Sequence, residues 1–151
     1  KCVDAVKNYL LVPGALRSLA PLKADPPLVI KAPEGRLLNN PSYPYCGRYE
    51  GDEDTHRKPA YHNGTAWVYT FPHFCEALIK AYNEDKDAIN AAKSYLASAK
   101  GLMEEGCLNH LPEILDGDEP HTQRGCDAQA WSVSEYFRVL KYLDYVSGIG
   151  E

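Results

Sequence analysis

The chain lacks the features that would point to a membrane or to nucleic acid. No stretch of it approaches the roughly 18 consecutive apolar residues that a membrane-spanning helix needs, and no secretory signal pattern is visible. Its 16 Lys and Arg residues are scattered and its net charge is −5, whereas nucleic-acid-binding surfaces cluster basic charge. We therefore expect neither a membrane nor a nucleic-acid partner.

A regular cysteine framework is also missing. The five cysteines stand at irregular intervals, and Cys75 lies inside an apolar helical pattern, where a thiol packs as a core residue. A reducing cytoplasm is the expected location. The length of 151 residues suggests one domain. Because the chain starts with Lys1, we expect it to be processed or to be a piece of something longer.

Helical periodicity dominates the secondary-structure pattern. Apolar residues recur at steps of three and four in three segments, and a short opening helix precedes Pro13-Gly14. The predicted helices cover residues 2–11, 66–82, 87–103 and 128–146. Two long loops, 12–65 and 104–128, connect them, with a small hairpin predicted at 28–38. The predicted class is all-α, with elaborate loops that converge to build a site.

The second loop carries an unusual density of titratable side chains in LPEILDGDEPHTQRGCDAQAWS, residues 111–132. Glu113 stands between Leu-Pro and Ile-Leu, a flank that would press it against an apolar wall while its carboxylate faces a cavity. Such a placement suits a general base. The alternative is a solvated acidic turn, for which Asp-Gly-Asp is a natural sequence.

The same segment raises the alternative of a zinc site. The spacing C-x2-H-x10-H-x4-C is near that of structural zinc sites, and its four members are Cys107, His110, His121 and Cys126. A chain with this many helices needs no metal to form a core, so we expect no metal and no cofactor.

Two clusters of polar and aromatic residues stand at the predicted entrances of two helices. The first includes Tyr61, His62, Asn63, Thr65 and Trp67, and the second Gln129 and Trp131. Sugars need this mixture, because flat rings cover their C–H faces and planar polar groups bind their hydroxyls. The alternatives are a helix cap at Asn63 or Thr65 and a core position for Trp67.

Four blocks of the sequence resemble glycogen debranching enzymes of the amylo-alpha-1,6-glucosidase type, in their C-terminal part. The blocks are LLVPGALRSLAP (10–21), YCGRYEGD (45–52), AYHNGTAW (60–67) and LPEILDGDEPHTQRGCDAQAWS (111–132). The resemblance runs from about residue 5 to residue 145. It implies part of an (α/α)6 barrel of helical hairpins that hydrolyses α-1,6-linked glucose at glycogen or limit-dextrin branch points with inversion.

The resemblance also implies residue roles. It gives Glu113 the role of general base, and it makes the two aromatic clusters subsite walls that bind glucose rings. Asp116 and Arg124 would contact the substrate or hold Glu113, and Arg17 would tie a loop by ion pairing or reach a sugar hydroxyl. The family's general acid is an Asp far upstream, and its motif is absent here. One departure is Val68, where many family members carry Pro.

The expected partners are a branched α-glucan and the remainder of a parent chain. Alone, the chain would be inactive, and exposed apolar helix faces would favour its self-association. The rival hypothesis is a non-catalytic helical module, zinc-stapled or not, that binds glucan or a partner protein. A nearer rival is another (α/α)6 hydrolase, such as a glucoamylase- or trehalase-like enzyme.

Overall fold

The computed structural model describes residues 1–148 of the chain. Helices form most of its regular structure, and five very short strands lie between them. The α-helices are α1 (Cys2–Tyr9), α2 (Lys58–Tyr61), α3 (Thr70–Ala81), α4 (Lys86–Ser98) and α5 (Ala130–Val146). A π-helical turn, Glu53–Arg57, leads into α2, and a 3₁₀ turn, Ala99–Met103, follows α4. The strands are β1 (Leu11–Val12), β2 (Ala15–Arg17), β3 (Ala66–Trp67), β4 (Ile114–Leu115) and β5 (Gln123–Arg124).

The core lies where α3, α4 and α5 pack against one another. Each helix turns a stripe of apolar side chains inward, as the predicted periodicity requires. The most deeply buried members include Phe71, Ile79, Leu96, Val139 and Leu143. The predicted helices are therefore confirmed, and they differ from the observed ones mainly at their ends.

The start of α3 is the largest of these differences. The predicted helix began at residue 66, but Ala66 and Trp67 are extended and pair with strands on both sides. Helix α3 begins at Thr70, which puts Pro72 in its first turn. Proline is tolerated there because the first N–H groups of a helix have no partner within the helix.

An antiparallel sheet corrects the all-α prediction. Its five strands lie in sequence order, β1-β2-β3-β4-β5. Trp67 of the central strand faces Leu16 of β2 on one side and Ile114 of β4 on the other. Each strand has only two or three residues, too few to show the alternating pattern by which strands are predicted.

The first long loop contains the predicted hairpin. Lys31 and Leu37 form an antiparallel bridge, and two backbone hydrogen bonds of 2.9 Å flank it, from Ala32 N to Arg36 O and from Leu38 N to Ile30 O. Gly35, with φ +89°, supplies the turn.

No helix within residues 1–148 has both the length and the apolar character needed to cross a bilayer.

The turn between β1 and β2 depends on Gly14. Its φ is +76°, and a Cβ atom there would lie 2.7 Å from Leu102 Cδ1. We expect Gly14→Ala to lower the free energy of unfolding by about 1–3 kcal/mol, since it forces a residue with a Cβ into the left-handed region. Chemical denaturation measures this, with Gly35→Ala as control, because nothing lies within 4 Å of that position. Equal losses in the two variants would show that the contact with Leu102 adds nothing.

Candidate functional site

The short sheet fixes the backbone of Glu113. This residue immediately precedes β4, whose Ile114 faces Trp67. The Val68 N–H donates to the Glu113 carbonyl at 3.3 Å, and the Glu113 N–H donates to the Cys126 carbonyl at 2.9 Å. Glu113 is thus held between the end of β3 and the turn that follows β5.

Two donors hold the carboxylate of Glu113. The Tyr61 hydroxyl donates to Oε1, and the Cys126 N–H donates to Oε2 at 3.0 Å. The turn at Gly125, with φ +72°, aims this N–H at the carboxylate. A Cβ atom on Gly125 would lie 2.5 Å from Oε2. The turn can approach the carboxylate this closely only because residue 125 is a glycine.

Tyr61 is itself fixed by its neighbours. Its ring centroid lies 4.8 Å from that of Trp67 and 5.5 Å from that of Tyr49. Its backbone carbonyl accepts hydrogen bonds from Trp67 Nε1 at 3.1 Å and from Thr65 Oγ1 at 2.5 Å. Burial, and then the hydrogen bond to Glu113, raise the pKa of Tyr61 to about 12.

Beside this pair lies a cavity of about 400 Å³, which we call the aromatic pocket. It is lined by Leu10, Leu16, Arg17, Ser18, His62, Trp67, Tyr69, Thr70 and Trp131. The His62 ring stacks on Trp67, with centroids 5.3 Å apart and planes 5° from parallel. Tyr69 and Trp131 form a second stack at 4.9 Å. Flat faces next to polar groups are what a sugar ring requires.

Glu113 is not part of this lining. It is linked to the aromatic pocket through Tyr61, whose ring contacts both His62 and Trp67. The two aromatic clusters therefore meet, but the Glu113 carboxylate does not open into their pocket as predicted, because Tyr61 lies between the carboxylate and the rings. The role of Glu113 as base stays a prediction.

Asp116, three positions after Glu113, has no exposed surface. One of its oxygens accepts from Arg124 Nε and Nη2 at 3.1 and 3.0 Å, and the other accepts from the Tyr49 N–H at 2.8 Å. Arg124 also pairs with Glu50 at 3.0 Å, and its hydrogen bond with Asp116 raises its pKa. The two residues thus bind each other and tie the segment around Tyr49 to β5. Their predicted contact with substrate stays a prediction.

The other predicted residues divide into two groups. His62, Trp67 and Trp131 meet in the aromatic pocket, and Gln129 stands directly before α5, two positions from Trp131. Asn63 lines a separate cavity of about 570 Å³, and its amide donates to the Pro59 carbonyl at 2.7 Å. Thr65 is wholly buried.

Arg17 supports a loop and also lines the aromatic pocket. Its Nε donates to the Gly117 carbonyl at 2.8 Å, so it ties a loop through a neutral acceptor and not through the predicted ion pair.

Two residues of the site escaped the sequence analysis. Tyr69 was assigned to the interior of a helix that in fact starts after it. The only signal for Gly125 was its position in a polar loop, because glycine there is equally typical of an ordinary turn.

The zinc alternative finds no support. Within residues 1–148, no three His, Cys, Asp or Glu side chains are arranged to hold a metal ion. His121 Nδ1 lies 3.0 Å from the Asp116 carbonyl oxygen, and Cys126 Sγ donates to the Ala128 carbonyl at 3.4 Å. Cys107, His110, His121 and Cys126 therefore do not form the predicted common site.

A held carboxylate next to an aromatic pocket fits the class of carbohydrate-processing proteins. Residues 29–138 match the family model described as amylo-alpha-1,6-glucosidase. The chain belongs to this family and is a C-terminal region of the glycogen-debranching type, a glycosidase-related region. The match contains Tyr61, Glu113 and Trp131, whereas the block at 10–21 lies outside it. No curated protein matched the chain.

The geometry around Asp116 predicts a structural cost for its removal. Asp116→Ala would leave Arg124 with Glu50 alone and the Tyr49 N–H without its acceptor, and we expect the free energy of unfolding to fall by about 1–3 kcal/mol. Denaturant titration of wild type and variant measures the loss. Asp118→Ala is the control, because Asp118 is only partly buried and accepts from the Tyr45 hydroxyl at 2.8 Å. An Asp116→Ala variant as stable as wild type would contradict a supporting role.

Proposed function

We propose that the chain contributes the general base, Glu113, to the inverting hydrolysis of α-1,6-linked glucose at branch points of glycogen or limit dextrin. The observation that carries this proposal is the carboxylate of Glu113, which is held by the Tyr61 hydroxyl and the Cys126 N–H beside the aromatic pocket. Membership of the amylo-alpha-1,6-glucosidase family supports the substrate class.

A carboxylate held in this way suits the activation of water. An ionised carboxylate offers about four lone-pair sites to donors. Tyr61 and Cys126 occupy two of them, so the remaining sites are free to accept from a water molecule. A general base must lie within hydrogen-bond reach of the proton that it removes, and a fixed carboxylate keeps that distance constant.

Inversion also needs an acid. In inverting glycosidases the two carboxyl groups stand roughly 6.5–9.5 Å apart, which leaves room for the attacking water. By its resemblance to the family, this acid is an Asp in an upstream part of the catalytic domain, and its motif is absent from this sequence. We propose that residues 1–151 form part of an (α/α)6 barrel, work in the cytoplasm with the rest of a parent chain, and are inactive alone.

The aromatic pocket is the proposed glucose subsite. Its volume of about 400 Å³ lies within the usual range for small-molecule sites. The His62–Trp67 stack and the half-exposed Trp131 would cover the C–H faces of sugar rings. Arg124 and Gln129 complete the proposed substrate-binding set. Thr65 and Asp116, which have no exposed surface, and Asn63, which lines a different cavity, would support the subsite without touching the sugar. Tyr61 contacts the subsite through its ring.

Apolar side chains on the surface of α5 support the proposed self-association of the isolated chain. Phe137, Leu140 and Tyr145 are among its exposed large residues.

The base assignment predicts a large loss of activity in Glu113→Gln. Loss of a general base costs about a hundredfold or more in rate. The measurement is glucose release from a branched limit dextrin by the intact protein, with NMR reporting the anomer formed first. The expected first product is β-glucose. The control is Glu119→Gln, a neighbouring exposed residue of the same loop. Normal activity in Glu113→Gln would disprove the assignment.

The subsite assignment predicts weaker binding in Trp131→Ala. Loss of one aromatic face is worth about 0.5–1.5 kcal/mol, which corresponds to an increase of up to about tenfold in Kd. Calorimetry with a short branched glucan measures it. Phe137→Ala is the matched control, since Phe137 is 58% exposed on the same helix and does not line the aromatic pocket. Equal affinities in wild type and Trp131→Ala would remove Trp131 from the subsite.

A second candidate is glucan binding without hydrolysis. It is favoured by the absence of Glu113 from the lining of the aromatic pocket. In that case the intact protein would bind the branched glucan in the calorimeter, lose affinity in Trp131→Ala, and release no glucose.

A further inference from the structure

We propose that Tyr61 is a positioning residue for Glu113, and that its hydroxyl and the Cys126 N–H together form a two-point clamp on the carboxylate. The inference rests on the proposed function, since it gives the base a fixed orientation. It reassigns the Tyr61 hydroxyl from the substrate to the carboxylate.

The clamp acts on the most mobile part of the Glu113 side chain. The terminal torsion of a glutamate is broad, so a carboxylate held at one oxygen still samples many orientations. Here each oxygen has its own donor, Tyr61 at Oε1 and Cys126 at Oε2. Rotation of the carboxylate about its bond to Cγ would break both hydrogen bonds at once.

The Tyr61 arm is rigid and stays a donor. The ring packs against Trp67 and Tyr49, and the backbone carbonyl of Tyr61 accepts from Trp67 and Thr65. The raised pKa of Tyr61, about 12, keeps its proton on the oxygen at neutral and mildly alkaline pH. The hydroxyl therefore donates to Glu113 across the range in which a carboxylate base works.

The Cys126 arm depends on Gly125. The positive φ of Gly125 turns the following N–H toward Oε2, and the missing Cβ leaves room for that oxygen. A methyl group at position 125 would lie 2.5 Å from Oε2 and would displace the carboxylate. Both donors are distant from Glu113 in the sequence: Tyr61 is 52 positions away and Cys126 is 13 positions away.

A positioning role and a substrate-binding role have different kinetic consequences. A residue that binds substrate equally in the ground state and the transition state raises KM when it is removed. A residue that orients the base affects the chemical step, so its removal lowers kcat and leaves KM nearly unchanged.

The test is Tyr61→Phe in the intact protein, assayed on a branched limit dextrin. This variant keeps the ring and removes only the hydroxyl. We expect kcat to fall by about tenfold to a hundredfold, because a base that is no longer held in one orientation is misplaced for the chemical step. We expect KM to stay close to that of wild type, and the thermal midpoint to fall no further than in Tyr45→Phe.

Tyr45→Phe is the matched control. It also removes a phenol–carboxylate hydrogen bond, to Asp118 at 2.8 Å, and the pKa of Tyr45 is likewise raised to about 12 by burial and by that bond. It should leave kcat unchanged. Gly125→Ala disturbs the other hydrogen bond of the clamp, from the Cys126 N–H to Oε2, and should also lower kcat more than it raises KM.

Two results would overturn the inference while leaving Glu113 as the base. One is a Tyr61→Phe variant with unchanged kcat and raised KM, which would return the hydroxyl to the substrate. The other is a Tyr61→Phe variant with wild-type kinetics. Glu113→Gln, assayed beside them, separates these results from a failure of the proposed function. That failure would show either as a fully active Glu113→Gln or as no glucose release by wild type.

Discussion

The pairing of strand β3 with both of its neighbours is the constraint on which the site depends. Ala66 and Trp67 face β2 on one side and β4 on the other. This double pairing places Arg17 opposite Ala66, and Ile114, the neighbour of Glu113, opposite Trp67, although the three strands come from separate parts of the chain. A sheet of such short strands would not be stable alone. It is stabilised because Leu115 of β4 and Val68 and Phe71, which follow β3, are buried in the helical core.

Close backbone approach is the second requirement for the site. A Cβ on Gly64 would lie 2.2 Å from the Cys46 carbonyl oxygen, and a Cβ on Gly117 would lie 2.1 Å from the Gly64 carbonyl oxygen. Three loops therefore meet at glycines, where no side chain separates them. Asp116 and Arg124, which pair within the β4–β5 hairpin, then link it to the segment around Tyr49 through the Tyr49 N–H and the Glu50 carboxylate. An ion pair in such a place specifies geometry more than it adds stability.

Sequence analysis predicted the helices well because their apolar stripes are long. Helices α3, α4 and α5 have 12, 13 and 17 residues, enough turns for the period of 3.6 to be unmistakable. The sheet could not be predicted, because strands of two or three residues are too short to show an alternation of apolar and polar side chains. The start of α3 was misplaced for the same reason, because Ala66 and Trp67 continue the apolar spacing of the helix while their backbone is extended.

The sequence by itself determined the helical core, the family and the candidate residues for the proposed chemistry: Glu113 in its apolar flank, and the rings of His62, Trp67 and Trp131. Only the tertiary structure decided which of these side chains meet. Asp116 and Arg124 turned out to bind each other, Asn63 lies in a different cavity, and Tyr61 donates to Glu113 across 52 positions. Local spacing sets which face of a helix is apolar. It does not set contacts between distant segments, which depend on strand pairing and loop packing in three dimensions.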